Sequence, residues 1–329
     1  MRPDATASAF HQDAVLAACL AAFKARWLER LDCFRCRAGP PWWAPGLILT
    51  PELRTRYETY LPLADVCADL ARLGDRLLPH PSWVPHLLRP RRVGACPLPC
   101  PDGPASLPDL WALLPPALAG RLDLAIADLP ALFCALADPP HFGTAAERYP
   151  AQQEQLAALC VTHPRPGLRL LDLACGVGLG TFATAALARG CGLRDVHTLG
   201  LTLEPLEAWM AARQCLPHDP QRQLRLQQLA DRVPHVRFAA ADVRQLPIHG
   251  PFDLILCNGL VGGTLLHRKP DLLPLLSECA RILAPGGRLL LSNRFHDGRR
   301  ARVEQFSDLA RDLGWAVSGD WHDLALGRR

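Results

Sequence analysis

The pattern of apolar positions changes near residue 150. Before it, apolar residues recur at helical spacing; after it, short apolar runs alternate with helical segments. Ala9–Leu31 carries Phe10, Val15, Leu16, Cys19, Leu20, Phe23, Trp27 and Leu31 on a helical repeat, with Ser8 placed to cap it. Thr50-Pro51-Glu52 joins a hydroxyl cap, a proline at the first position and an acid in the first turn, so it opens a second helical run. That run reaches about Leu78 with a break at Pro62. Prolines between Pro79 and Pro108 forbid long helix, and short helices follow over Leu110–Leu114 and Pro116–Asp138.

In the second half, Gln152–Val161 reads as one more helix. The apolar runs Leu168–Ala174, Val196–Thr202, Val236–Ala240, Phe252–Cys257 and Arg288–Ser292 read as strands separated by helices. Leu206–Cys215 and Gln221–Arg232 are two of those helices, broken apart at Pro217 and Pro220. The alternation predicts a parallel sheet covered on both faces. Trp315–Gly319 and His322–Leu326 stand too close for a helical crossover and read as an antiparallel hairpin at the sheet edge. The expected organisation is a mostly helical domain over 1–140 and an α/β domain over 141–329.

Composition narrows the class. Hydrophobic residues make up 49% and charged residues 21%, enough apolar material for a packed core. A net charge of +4 is too small to argue for nucleic acid by charge alone. Arg89-Pro90-Arg91-Arg92 and Arg299-Arg300-Ala301-Arg302 have no interleaved aromatics and read as solvated surface. The best apolar stretch, Ala14–Phe23, is too short to span a bilayer, and Asp4, His11 and Asp13 precede it instead of a basic region. The expectation is therefore a cytoplasmic protein with no membrane partner. The 13 cysteines are odd in number and spread through apolar runs, unlike a disulfide framework. Cys33 with Cys36 and Cys96 with Cys100 have zinc-ligand spacing. The first pair ends a helical run where both thiols can pack, and the pairs lie far apart, so no metal is expected.

The densest chemistry is the run Leu170-Leu171-Asp172-Leu173-Ala174-Cys175-Gly176-Val177-Gly178-Leu179-Gly180-Thr181. A buried strand ends in an acid, passes through glycines and enters a helix. Glycines let backbone approach a ligand where a Cβ would collide, and the helix start adds free N–H groups and positive potential. A dinucleotide turn spaces its glycines G-x-G-x-x-G. Here Thr181 stands where the third glycine would fall.

This run resembles motif I of the class I S-adenosylmethionine-dependent methyltransferases, and the likeness continues down the chain over about 141–329. The resemblance implies a seven-stranded Rossmann-like sheet with a terminal antiparallel hairpin, and S-adenosylmethionine as cofactor. It implies that Asp172 orients the methionine part, while Ala174, Cys175, Gly176 and Gly178 form the turn, Ala174 standing for the family's usual first glycine. The run His197 to Pro205 resembles the second strand, which in the family ends in an acid that binds both ribose hydroxyls. That position is Thr202 here, followed by Leu203 and Glu204, so either Thr202 or Glu204 is expected at the ribose. Asp242 and Val243 match the residues that meet the adenine, and Asn258 and Gly259 those at the mouth beside the departing methyl. The run Ala280 to Leu291 resembles the family's helix–turn–strand, with Pro285-Gly286-Gly287 as a tight reversal. Phe252 to Asn258 bears a distant likeness to the chemotaxis-receptor carboxyl methyltransferases, which also have a helical N-terminal domain.

Methyl transfer from a sulfonium is a direct displacement, helped mainly by holding nucleophile and methyl in line. No conspicuous base is required. His267, His296 and Tyr149 are the candidates closest to the expected acceptor side, with Thr144 and Tyr149 in a segment that would fold over the cofactor. Asn258-Gly259-Leu260-Val261 lacks the Asn-Pro-Pro-aromatic loop found in enzymes that methylate base amines. The expected function is methyl transfer to a small molecule or a protein carboxyl group. RNA methylation and cofactor binding without catalysis are the alternatives. The helical half is expected to select the acceptor; the sequence does not fix the oligomeric state.

Overall fold

The computed structural model describes residues 15–25, 71–77, 125–138, 148–263, 266–293 and 299–328. The paired cysteines Cys33, Cys36, Cys96 and Cys100, together with Thr144 and His296, lie outside them. The chain divides into two compact units. One is Met1–Gly143 with Leu216–Pro220; the other is Thr144–Cys215 with Gln221–Arg329.

In the first unit, residues 15–25 form a helix that buries Leu16, Leu20 and Phe23, the spacing of one helical face. Residues 71–77 bury Leu73 and Leu77 in the same way. The helix Leu129–Ala137 has Pro130 in its first turn, where no N–H is needed, and buries Leu129, Phe133 and Ala137. The short segment Leu216–Pro220 belongs to this unit, although its neighbours in sequence do not. It brings His218, whose buried side chain meets Asp138 with Nε2 3.1 Å from Oδ2.

The second unit is a sheet of β1 (Gly167–Leu173), β2 (Asp195–Thr202), β3 (Val236–Ala240), β4 (Phe252–Cys257), β5 (Leu283–Ser292), β6 (Trp315–Gly319) and β7 (Asp323–Arg328). Their order is β3-β2-β1-β4-β5-β7-β6. The first five are parallel, and β7 pairs antiparallel with both β5 and β6. Helices α1 (Pro150–Val161), α2 (Leu179–Gly190), α3 (Pro205–Arg213), α4 (Pro220–Ala230), α5 (Lys269–Ile282) and α6 (Arg300–Asp312) connect or flank them. This is the seven-stranded Rossmann-like arrangement with a terminal hairpin. Leu171 and Leu173 of β1, Ile255 and Cys257 of β4, and Leu289 and Leu291 of β5 share one core with Leu272 and Leu276 of α5 and Phe306 and Ala310 of α6. Phe306 is fully buried there, so truncating it to alanine should cost about 3–5 kcal/mol.

Strand β5 begins at Leu283, five residues before the expected Arg288. Leu283 pairs with Phe252 and Arg288 with Leu254, so Pro285-Gly286-Gly287 makes an excursion inside the strand line. Both glycines are required. Gly286 has φ 78, and a Cβ on Gly287 would stand 2.9 Å from the Ala284 carbonyl oxygen. The order in which strands are added reverses between β1 and β4, β2 and β3 lying on one side and β5 on the other, which opens a crevice at the carboxyl ends of β1 and β4. Among the described residues, no helix is long and apolar enough to cross a membrane.

Candidate functional site

A cleft lies at that crevice. Its lining comes from Arg148, Tyr149, Gln152, Gln153 and Leu156 at and just before the start of α1, Asp172 of β1, Ala174 and Cys175 after it, Gly180 and Thr184 of α2, Leu256 of β4 and Asn258 just past that strand. Asp172 is buried, and Oδ2 accepts a 2.6 Å hydrogen bond from the Thr181 hydroxyl in the first turn of α2. Burial pushes its carboxyl up to about 6, against the lowering effect of that bond. A carboxylate held in so dry a place is well suited to meet a cation.

The turn after Asp172 is left-handed at three positions: Ala174 at φ 61, Gly176 at φ 54 and Gly178 at φ 86. Ala174 therefore occupies a conformation that costs an L-residue roughly 1 kcal/mol, so replacement of the expected glycine is accommodated with strain. Gly178 has a second reason to lack a side chain: its Cβ would meet Phe238 at 2.7 Å and Ala211 at 3.1 Å. Phe238 of β3 also closes over Gly200 of β2, where a Cβ would stand 2.6 Å from the ring. The Cys175 thiol is pushed well up by burial and then by the negative charges of Asp172 and Glu207, so it packs as an inert wall.

At the end of β2, the buried Thr202 hydroxyl donates to Glu207, a partner the sequence reading did not anticipate. Glu204 stands at the N-cap of α3 and accepts from the Leu206 backbone N–H at 3.5 Å. Leu203 is half exposed. Beyond β3, Ala241 N–H donates to the Thr202 carbonyl at 2.8 Å, which sets Asp242 beside the β2 end. Arg244 folds back to grip Asp242 with Nη2 2.7 Å from Oδ2, while its Nη1 reaches Asp271 at 3.1 Å. The guanidinium holds the Asp242 carboxyl below the usual carboxylate range. Val243 packs against the main core. Of the expected cofactor residues, Asp172, Ala174, Cys175 and Asn258 line the cleft, while Gly176, Gly178, Thr202, Leu203, Glu204, Asp242, Val243 and Gly259 do not.

Asn258 directly follows β4 and is clasped by Gln152 of α1 through two reciprocal 2.8 Å amide hydrogen bonds. Gly259 has φ 66, and the Tyr149 hydroxyl stands 3.3 Å from where its Cβ would be, so the phenol reaches across the cleft to the β4 end. His267 lies on the loop after β4, with Nδ1 buried and no hydrogen-bond partner. No group of metal-ligating side chains occurs among the described residues.

Residues 171–291 match a family model described as a methyltransferase domain. Over 129 residues the chain is 31% identical to a ubiquinone biosynthesis O-methyltransferase of Xylella fastidiosa (strain 9a5c), covering 39% of this chain and 43% of that one. Over 144 residues it is 26% identical to the polyketide synthase-like protein Preu9 of Preussia isomera, covering 44% of this chain and 6% of that one. The chain thus spans less than half the length of either curated relative. Among solved structures, the N-methyltransferase NodS from Bradyrhizobium japonicum WM9 in complex with S-adenosyl-L-homocysteine is 17% identical, with a TM-score of 0.38, covering 57% of this chain and 90% of that one. The domain match runs from within β1 through the glycine turn to near the end of β5, the segments that build the cleft, so the likeness to methyltransferase domains covers this part of the chain.

Proposed function

We propose that this chain transfers the methyl group of S-adenosylmethionine to a small molecule, with the cofactor held at the carboxyl ends of β1 to β4. The observation that carries the reading is Asp172, a buried carboxylate at the end of β1 beside a left-handed turn in which Gly176 and Gly178 leave the backbone uncovered. The cofactor supplies an electrophilic methyl on a sulfonium. Asp172 is suited to its ammonium group, and the backbone of Ala174 to Gly178 to close approach along the methionine part. Thr202 with Glu207 would receive the ribose hydroxyls, leaving Glu204 as a helix cap. Thr202 alone could not accept from two hydroxyls as a carboxylate can. Leu203, Asp242 and Val243 would meet the adenine, whose amino group would join Arg244 at the Asp242 carboxylate. Asn258 and Gly259 would frame the methyl, with Tyr149 and His267 the nearest polar groups to an incoming acceptor.

The small-molecule acceptor is favoured over a protein carboxyl group by one fact. The relative with the higher identity is an O-methyltransferase of ubiquinone biosynthesis. Calorimetry with S-adenosylmethionine, S-adenosylhomocysteine and NAD in parallel tests the cofactor. Binding of NAD with no response to the two adenosyl compounds would overturn the reading. Turnover on a panel of hydroxylated small molecules against a protein panel tests the acceptor.

A further inference from the structure

We infer that Asn258 is a positioning residue that couples occupancy of the cleft to the loop Asp320–Asp323, and that this loop forms the acceptor-facing wall. The inference rests on the methyltransferase reading above.

The Asn258 amide is engaged on two sides. It exchanges both hydrogen bonds with Gln152, and its Oδ1 also accepts the Ser292 backbone N–H at 3.0 Å. Two acceptor lone pairs and one of two donors are then committed, which fixes the amide plane. Gln152 is buried although it lies in the first turn of α1, beside Tyr149 in the cleft wall. On the other side, Ser292 ends β5. Its carbonyl accepts from Gly259 N–H at 2.8 Å and its hydroxyl donates to Asp323. The next residue, Asn293, is buried and holds the hairpin loop by two bonds: its backbone N–H donates to the His322 carbonyl at 2.9 Å, and its Nδ2 to the Trp321 carbonyl at 2.6 Å.

A continuous set of hydrogen bonds therefore runs from the cofactor-side helix, through one amide, to the loop between β6 and β7. The loop stands at the ligand edge on the β4–β5 side, whereas the cofactor reading occupies the β1–β2–β3 side, so an acceptor must enter where the loop stands. The loop presents two rings, Trp321 and His322, with centroids 3.7 Å apart, and His322 Nδ1 is buried without a hydrogen-bond partner. Such hydrogen bonds are individually weak, so a ligand that tightens α1 over the cleft can bias the whole set.

Hydrogen exchange on the full chain, with and without S-adenosylhomocysteine, tests this. In the wild type, the ligand should slow exchange at the glycine turn, at α1 and at 320–323, the last by about fivefold or more. In Gln152→Leu the turn should remain protected while 320–323 returns to its unliganded rate. Asn258→Asp keeps an acceptor for both Gln152 and Ser292, so it should retain the response. Protection of the loop that persists in Gln152→Leu, or a wild type whose turn is protected and whose loop is not, overturns the coupling. A turn that S-adenosylhomocysteine fails to protect overturns the methyltransferase reading beneath it.

Discussion

Replacing Asp172 with asparagine should improve the fold with rising pH while it damages cofactor binding. The carboxyl titrates at about 6 in the folded chain against 3.8 for the unfolded reference, because burial opposes its charge. The folded state thus holds a proton that the unfolded state has released between those two values, and stability falls as pH rises through that window. Two units at 1.36 kcal/mol each amount to about 3 kcal/mol above pH 6, and about 1 kcal/mol remains at pH 4.5. Asparagine does not titrate and its carbonyl can still accept from Thr181. Its extra donors carry a constant cost that cancels when two pH values are compared. Thermal melts of both proteins at pH 4.5 and 8 should show the variant gaining about 2 kcal/mol relative to wild type between them, roughly 4–8 °C. Calorimetry at pH 8 should show S-adenosylhomocysteine binding weakened by about tenfold or more, with wild-type affinity rising from pH 5 to 7 as the carboxylate ionises. A melting difference that does not move with pH would refute the burial argument, and an unchanged affinity would refute the role.

Other perturbations separate the remaining parts of the site. Gly200→Ala should destabilise by about 1–3 kcal/mol through the Phe238 ring, and Phe238→Leu in the same chain should recover part of the loss; additive melts would show that the ring is not the obstacle. Glu207→Gln should weaken S-adenosylhomocysteine about tenfold, while Glu204→Ala should cost about 1 kcal/mol of stability and little affinity; the reverse pattern would return the ribose role to Glu204. Asp242→Asn should cost about 1–3 kcal/mol of binding, read by the same titration, and no loss would detach Asp242 from the adenine.

The chain pattern made the sheet legible because its strands are short, nearly continuous apolar runs set between helical segments. Asp172 and the turn after it could be read for the same reason: residues 172 to 181 act on one another locally. Elsewhere, contact between distant segments decided the geometry. Gln152 and Asn258 are 106 residues apart, and nothing in either neighbourhood announces a paired amide. Nothing in the local sequence marks Glu207; only the fold of α3 against the β2 end brings it to Thr202. The Arg244 clasp on Asp242 was within reach, since two residues separate them and a guanidinium two positions from a carboxylate can fold back. Strand β5 began early because a backbone excursion at Pro285-Gly286-Gly287 rejoins the strand line, which a turn signal alone does not reveal.

The segment Leu216–Pro220 also bears on how the protein is made. The unit that sets His218 beside Asp138 cannot be completed when the chain has left the ribosome only as far as Gly143. It must wait until β1, β2 and the crossover after α3 have been synthesised. The emerging N-terminal half spends that interval with Asp138 lacking its imidazole. Cutting the gene at residue 140 would impose the same condition permanently on one product and leave Leu216 and His218 without their buried surroundings in the other. Separate expression of the halves should therefore give two poorly soluble fragments that recover when produced together.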